Sequence, residues 1–180
     1  ILDHVDATPA ERSAYLKRSA AERRALGDDV EEVSLTNEDI GEEAVLSDTR
    51  YNEMGKHEQF VLTMTEFGYG KRSSSYDFRL TGRGGKGVRA TDVSKTAEIG
   101  PLIAAFPVDD TDQIMMVSDG GQLIRVPVAG IRIASRATKG VTVFNTAEGE
   151  KVVSVERISE PEGEDEADSV VDPSPGDAQE

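Results

Sequence analysis

The densest chemistry in this sequence is Gly82-Arg83-Gly84-Gly85-Lys86-Gly87, in which four glycines enclose two cations. The spacing satisfies G-x-G-x-x-G, the turn in which glycines let a backbone approach a dinucleotide pyrophosphate. That chemistry needs a strand before the turn and a helix after it, whereas Val88-Arg89-Ala90-Thr91 opens another β-like run. No Gly-Lys-Ser or Gly-Lys-Thr is present to make a P-loop. The pattern reads better as a tight exposed turn: the glycines permit positive φ, the amides are open to a phosphate, and Arg83 and Lys86 supply the charge. The plainer alternative is a connecting turn with solvated cations.

The turn has an echo. Arg83-Gly84-Gly85-Lys86-Gly87-Val88 aligns without a gap to Arg136-Ala137-Thr138-Lys139-Gly140-Val141, 53 residues on. Val61-Leu62-Thr63-Met64-Thr65-Glu66 aligns at the same offset to Ile114-Met115-Met116-Val117-Ser118-Asp119. Repeats of ~40–50 residues rich in short strands read as propeller blades, each burying a face against the next. Other cations fall on the same β region: Lys71, Arg72, Arg79 and Arg89 in the first copy, Arg125 and Arg132 in the second, with Arg72 and Arg125 equivalent. Cations recurring at blade-equivalent points form a curved belt once blades are ringed, and such a belt suits a phosphate backbone.

The arrangements that would support catalysis are missing their partners. His4 and His57 are solitary, and Ser73-Ser74-Ser75 has no neighbouring base. Asp109-Asp110-Thr111-Asp112 lacks the distal glutamate of a calcium loop and lies between two strand signals, so a turn is expected. Tyr51, Tyr69 and Tyr76 are in no pattern that suggests a covalent nucleophile.

The elements that must position the belt follow from periodicity and punctuation. Thr8-Pro9-Ala10-Glu11 is a capping box with proline at the first helical position, predicting a helix over 9–26 that stops at Gly27. Its alanine-rich stripe, Ala10, Ala14, Ala21 and Ala25 with Tyr15 and Leu26, buries little area, so weak docking is expected. A second helix is expected over 37–46 and a turn segment over 47–54. From Gln59 the period becomes two, predicting strands at 60–65, 71–75, 102–108, 114–118, 123–128 and 151–158.

The net charge of −15 is unevenly spread. Residues 1–59 carry 7 basic and 15 acidic side chains, 60–158 carry 13 and 11, and 159–180 carry none and 9. A mildly basic repeat region between acidic flanks points to nucleic acid or to an acidic regulatory tail. The absence of cysteine excludes disulfides and thiolate sites and suits a reducing cytosol. No apolar run approaches the ~20 residues of a membrane span, and no signal segment opens the chain, so a soluble intracellular protein is expected. The organisation expected is a remnant strand of a preceding blade at 1–5, a helical acidic insertion at 6–58, blade repeats at 59–112 and 113–160, and a disordered acidic tail at 161–180.

Together, Thr65-Glu66-Phe67-Gly68-Tyr69-Gly70-Lys71-Arg72, Gly82-Arg83-Gly84-Gly85-Lys86-Gly87, Gln113-Ile114-Met115-Met116-Val117-Ser118-Asp119-Gly120-Gly121 and the turn at 136–141 closely resemble the C-terminal domain of the DNA gyrase A subunit, over residues 59–160. The resemblance implies a mainly β fold, the last blades of a six-bladed β-pinwheel that wraps double-stranded DNA around its rim. It implies no catalytic residue, metal or cofactor in this chain. The cleaving tyrosine belongs to the N-terminal part of that subunit, and ATP and Mg are bound by other parts of the complex. The implied partners are the gyrase B subunit and a second A subunit in an A2B2 heterotetramer, in the cytoplasm on the bacterial chromosome. The family's first-blade box, Gln-Arg-Arg-Gly-Gly-Lys-Gly, is matched here only by the later-blade form at 80–87. Two other readings remain at this point: the A subunit of topoisomerase IV, with fewer and more degraded blades, and a propeller used as a protein-docking scaffold.

Overall fold

The computed structural model describes residues 5–27 and 45–159. The expected remnant strand at 1–5, most of the helix expected at 37–46, and the tail at 161–180 lie outside those residues; Val5 itself is in no strand.

Alternating apolar and small residues build two antiparallel sheets. Strands β1 (Phe60–Thr65) and β2 (Tyr69–Ser74) form a hairpin, and β3 (Leu102–Val108) pairs with the other side of β1. β4 (Gln113–Ser118) and β5 (Leu123–Pro127) form the second hairpin, β6 (Val141–Thr142) is a two-residue strand, and β7 (Val152–Ile158) closes on β4. The 53-residue echo is structural as well as sequential. A bulge between Met64 and Thr65 recurs between Val117 and Ser118, and the 3-10 turn Ser75–Asp77 recurs as Val128–Gly130. Leu62, Met64, Ile114, Met116 and Val152 from both sheets, with Val128 and Phe144 from their connections, share one core. Each face is too small to bury alone, as expected of stacked blades.

Sheet membership does not follow the repeats. The strand orders are β3-β1-β2-β6 and β5-β4-β7, so β6, from the second repeat, completes the first sheet by pairing with β2. Two glycines make the approach possible. A Cβ on Gly140, whose φ is +79°, would lie 2.5 Å from the Gly70 carbonyl oxygen, and only glycine tolerates both demands.

The first helix, α1 (Pro9–Ala25), starts at the expected box, with the Glu11 amide donating to Thr8 Oγ1 at 3.2 Å and the Thr8 amide donating to Glu11 Oε2 at 2.8 Å. Its docking differs from expectation. Tyr15, Leu16 and Ala20 are buried while Ala21 and Ala25 are exposed, so aromatic area, not the alanine stripe, carries the contact. The segment expected as a turn at 47–54 is the helix α2 (Asp48–Lys56), N-capped by Ser47. Its polar sequence masks the helix, and Met54, fully buried, joins Tyr15, Leu16 and Tyr76 in a second core. Tyr15 lies 5.1 Å from Tyr51 and 4.9 Å from Tyr76 by ring centroids, and the Tyr76 hydroxyl donates to the Met54 carbonyl at 2.8 Å. Tyr76 belongs to the first repeat's 3-10 turn, so this ring anchors the helical pair to the first sheet. No helix among the described residues is long and apolar enough to cross a membrane.

Candidate nucleic-acid interface

The belt of ten cations divides into side chains that turn in and side chains that turn out. Lys71, on β2, is 1% exposed, and its ammonium donates to the backbone carbonyls of Arg136, at 2.8 Å, and Thr138. Arg72 is 6% exposed; its guanidinium donates to the Ile131 carbonyl at 2.7 Å and the Ala129 carbonyl at 3.1 Å and pairs with Asp110. Arg136 is 7% exposed, and its Nε donates to the Asp77 carbonyl at 2.8 Å while its amide donates to Asp77 Oδ2 at 2.6 Å. Its guanidinium also reaches the Arg89 carbonyl, at 3.2 Å.

The sequence reading places these three cations on the rim, and the structure puts them inside it. A buried charge persists only when paired and hydrogen-bonded, and carbonyls freed by the irregular segment 129–138 supply that need. The same bonds fasten that segment to β2: the Ala134 amide donates to the Arg72 carbonyl and the Arg72 amide to the Arg132 carbonyl, both at 2.9 Å. Asp77 and Asp110 therefore matter, though residue type alone does not reveal them. Gly70 does carry a signal, since a glycine inside a strand often marks close approach of another backbone.

The remaining seven lie at or near the surface. Lys86 and Arg83 are exposed on the loop 80–87, where Gly84 and Gly87 both have φ of +79°. Arg89 and Arg125 are exposed or half-exposed strand and loop positions, and Arg79 and Arg132 are half-buried. Lys139 keeps 44% of its side chain exposed while pairing with Glu98 at 2.6 Å and lying 5.6 Å from the Tyr69 ring centroid. The Lys139 hydrogen bond holds the Glu98 carboxyl below its ordinary value. An exposed pair of this kind is screened by solvent and contributes little to stability.

A cleft of about 550 Å³ separates α1 from the second repeat, lined by Arg23, Phe60, Arg72, Asp110 and Arg132 among others. Its charge is largely balanced, because Arg23 pairs with Glu58 and Arg72 with Asp110. The acidic run 109–112 is a turn: the Asp109 amide donates to Asp112 Oδ2 at 2.8 Å, and Arg157 lies 3.5 Å from the same oxygen.

Two short-stranded antiparallel sheets sharing a core and exchanging a strand define the class as adjacent blades of a β-propeller. Solved structures agree: the DNA gyrase A C-terminal domain superposes with a TM-score of 0.52 at 24% identity, over 57% of this chain and 34% of that one. The C-terminal domain of DNA topoisomerase IV gives 0.51 at 22% identity, over 56% and 31%. At these identities the likeness is one of fold. The chain belongs to the family described as DNA gyrase C-terminal domain, beta-propeller, which matches residues 59–109 and 112–159. Among curated relatives, the DNA gyrase A subunit of Granulibacter bethesdensis is 39% identical over 97% of this chain, and that of Rickettsia bellii 38% over 94%. The Escherichia coli K12 protein of the same name is 42% identical over 110 residues, 61% of this chain. This chain spans 20%, 18% and 12% of those relatives' lengths respectively.

Proposed function

We infer that this chain is a DNA-wrapping part of a gyrase A subunit, holding a duplex by its phosphates. The observation that carries the reading is the division of labour within the motif at 136–141: Arg136 turns inward and fixes the segment, while Lys139, three residues on, stays at the surface. Lys139, Arg83, Lys86, Arg89, Arg125, Arg132 and Arg79 form the phosphate-facing set, whereas Lys71, Arg72 and Arg136 support it from within. Such contacts orient and bend a duplex without reading bases. Smooth bending of ~20–30 base pairs by 40–90° costs of order 1–6 kcal/mol, so several phosphates must be held together, driven by counterion release.

In the whole enzyme the bend would present a second duplex segment for strand passage with one handedness, giving ATP-dependent negative supercoiling by a type IIA topoisomerase. Cleavage, ATP and Mg would belong to other parts of an A2B2 assembly with the gyrase B subunit, in the cytoplasm on the bacterial chromosome. The curated names favour gyrase over topoisomerase IV, whose domain has a nearly equal structural likeness. Titration of this chain with unrelated duplexes at several salt concentrations tests the wrapping claim. Equal affinities that fall steeply with salt are expected; salt-independent binding, or none at low salt, would remove the phosphate-holding role.

A further inference from the structure

The acidic flank before the first repeat contains a basic helix. Residues 1–59 carry 7 basic side chains against 15 acidic ones, yet five of the seven, Arg12, Lys17, Arg18, Arg23 and Arg24, lie on α1, whose own acids are Glu11 and Glu22. The carboxylates within reach go to three cations. Arg18 pairs with Glu22 at 2.9 Å and Asp48 at 2.8 Å, Arg23 with Glu58, and Arg50 of α2 with Glu11 at 3.0 Å and Glu53 at 2.9 Å. Lys17 and Arg24 are exposed, and neither pairs with a carboxylate among the described residues. Arg24 Nε donates to the Ala20 carbonyl at 3.2 Å, which steadies the side chain and leaves its two terminal nitrogens for another acceptor.

Lys17 and Arg24 are seven residues apart, two helical turns, so they share one edge of α1 about 10 Å apart along its axis. Exposed Ala21 lies between them on the same side and adds no bulk. The other edge belongs to α2, through Arg18 with Asp48 and the Tyr51 hydroxyl donating to Glu22 at 2.7 Å. The helix also borders the phosphate-facing set at two places. Its Tyr15 packs on Tyr76, and Arg79 follows Tyr76 by three residues. At its C-terminal end Arg23, the neighbour of Arg24, lines the cleft of about 550 Å³ that Arg132 lines from the second repeat.

We propose that α1 is a further duplex-contact surface, with Lys17 and Arg24 holding phosphates, so that the DNA path runs off the blades and onto the helical pair. The proposal rests on the phosphate-holding reading above and adds a surface that the blade repeats do not contain. Duplex DNA presents one phosphate per about 1.7 Å of axis, both strands counted, so two cations about 10 Å apart can each meet one. Tyr15 and Leu16, buried in the second core, hold the helix and therefore its cations in place. Contacts of this kind lengthen the held path without adding base preference.

Salt titrations of duplex binding by this 180-residue chain test the proposal, comparing the parent with Lys17→Gln/Arg24→Gln and with Lys56→Gln, which removes an exposed cation from the end of α2. The slope of log K against log salt should flatten by about 1.8 in the double variant, roughly 0.9 per phosphate lost, and equally for unrelated duplexes. Lys56→Gln should keep the parent slope, and circular dichroism should show all three proteins equally helical. A steep parent slope that the double variant retains would overturn the α1 surface and leave the blade contacts standing. So would a flattening per charge that Lys56→Gln matches, since that is the effect of net charge alone. A flat slope in the parent itself would instead remove the phosphate-holding reading, and this proposal with it.

Discussion

Arg136 and Arg125 show how far one residue type can differ in consequence. Arg136 is buried with its guanidinium against Asp77, whereas Arg125 lies toward the surface on β5. Removing one member of a buried pair costs about 3–5 kcal/mol, because the other charge is left without compensation. Arg136→Ala should lower the denaturant midpoint accordingly, while Arg125→Ala should stay within ~0.5 kcal/mol of the parent. The glycines offer a parallel contrast. Gly140→Ala meets both a left-handed backbone and the Gly70 carbonyl, but Gly121, with φ of +85°, faces open space. Urea unfolding should show Gly121→Ala costing ~1–2 kcal/mol, the left-handed strain alone, and Gly140→Ala clearly more. Such distinctions are largely hidden in the sequence. Charged residues are buried only when partners exist, and those of Lys71 and Arg136 are backbone carbonyls and an aspartate 47 or more residues away.

At the scale of elements the strands are legible to within one or two residues, because alternation and glycine turns are local signals. What local signals cannot carry is partner choice. β6 is two residues long, and it reaches β2 because the glycine pair leaves room for it and distant side chains fasten the segment before it. α2 is hidden because its nine residues are mostly polar and contain Gly55, and Met54 is buried through packing against Tyr15 and Leu16 of α1. The tyrosines make that packing measurable. Burial raises the Tyr51 and Tyr76 hydroxyls from 10.0 to about 12, and burial beside Glu58 raises Tyr15 further. With folded values above unfolded ones, this contribution to stability is complete below pH 10 and is lost as pH rises from 10 toward 12 and beyond. Spectrophotometric titration should show the tyrosinates of these three forming late and together with loss of helix. Ionisation of all three near pH 10 with the helices intact would contradict the packing described.

For the molecule as a whole, a net charge of −15 would repel a polyanion if it were spread evenly. Residues 60–158 are instead slightly basic, and three of their cations are consumed in fastening one repeat to the other. The propeller and the basic region are readable from the repeat and from charge counts. The division between buried, fastening cations and those left at the surface is not, because it arises only when the second repeat's segment lies on the first repeat's sheet. The most direct measurement is the slope of log K against log salt for duplex binding, compared between the parent and a variant with Lys86, Arg89, Arg125, Arg132 and Lys139 changed to Gln. The slope should flatten by about 0.9 for each phosphate no longer neutralised, equally for unrelated sequences. An unchanged slope in a folded variant would contradict the account, leaving these cations as ordinary surface charges.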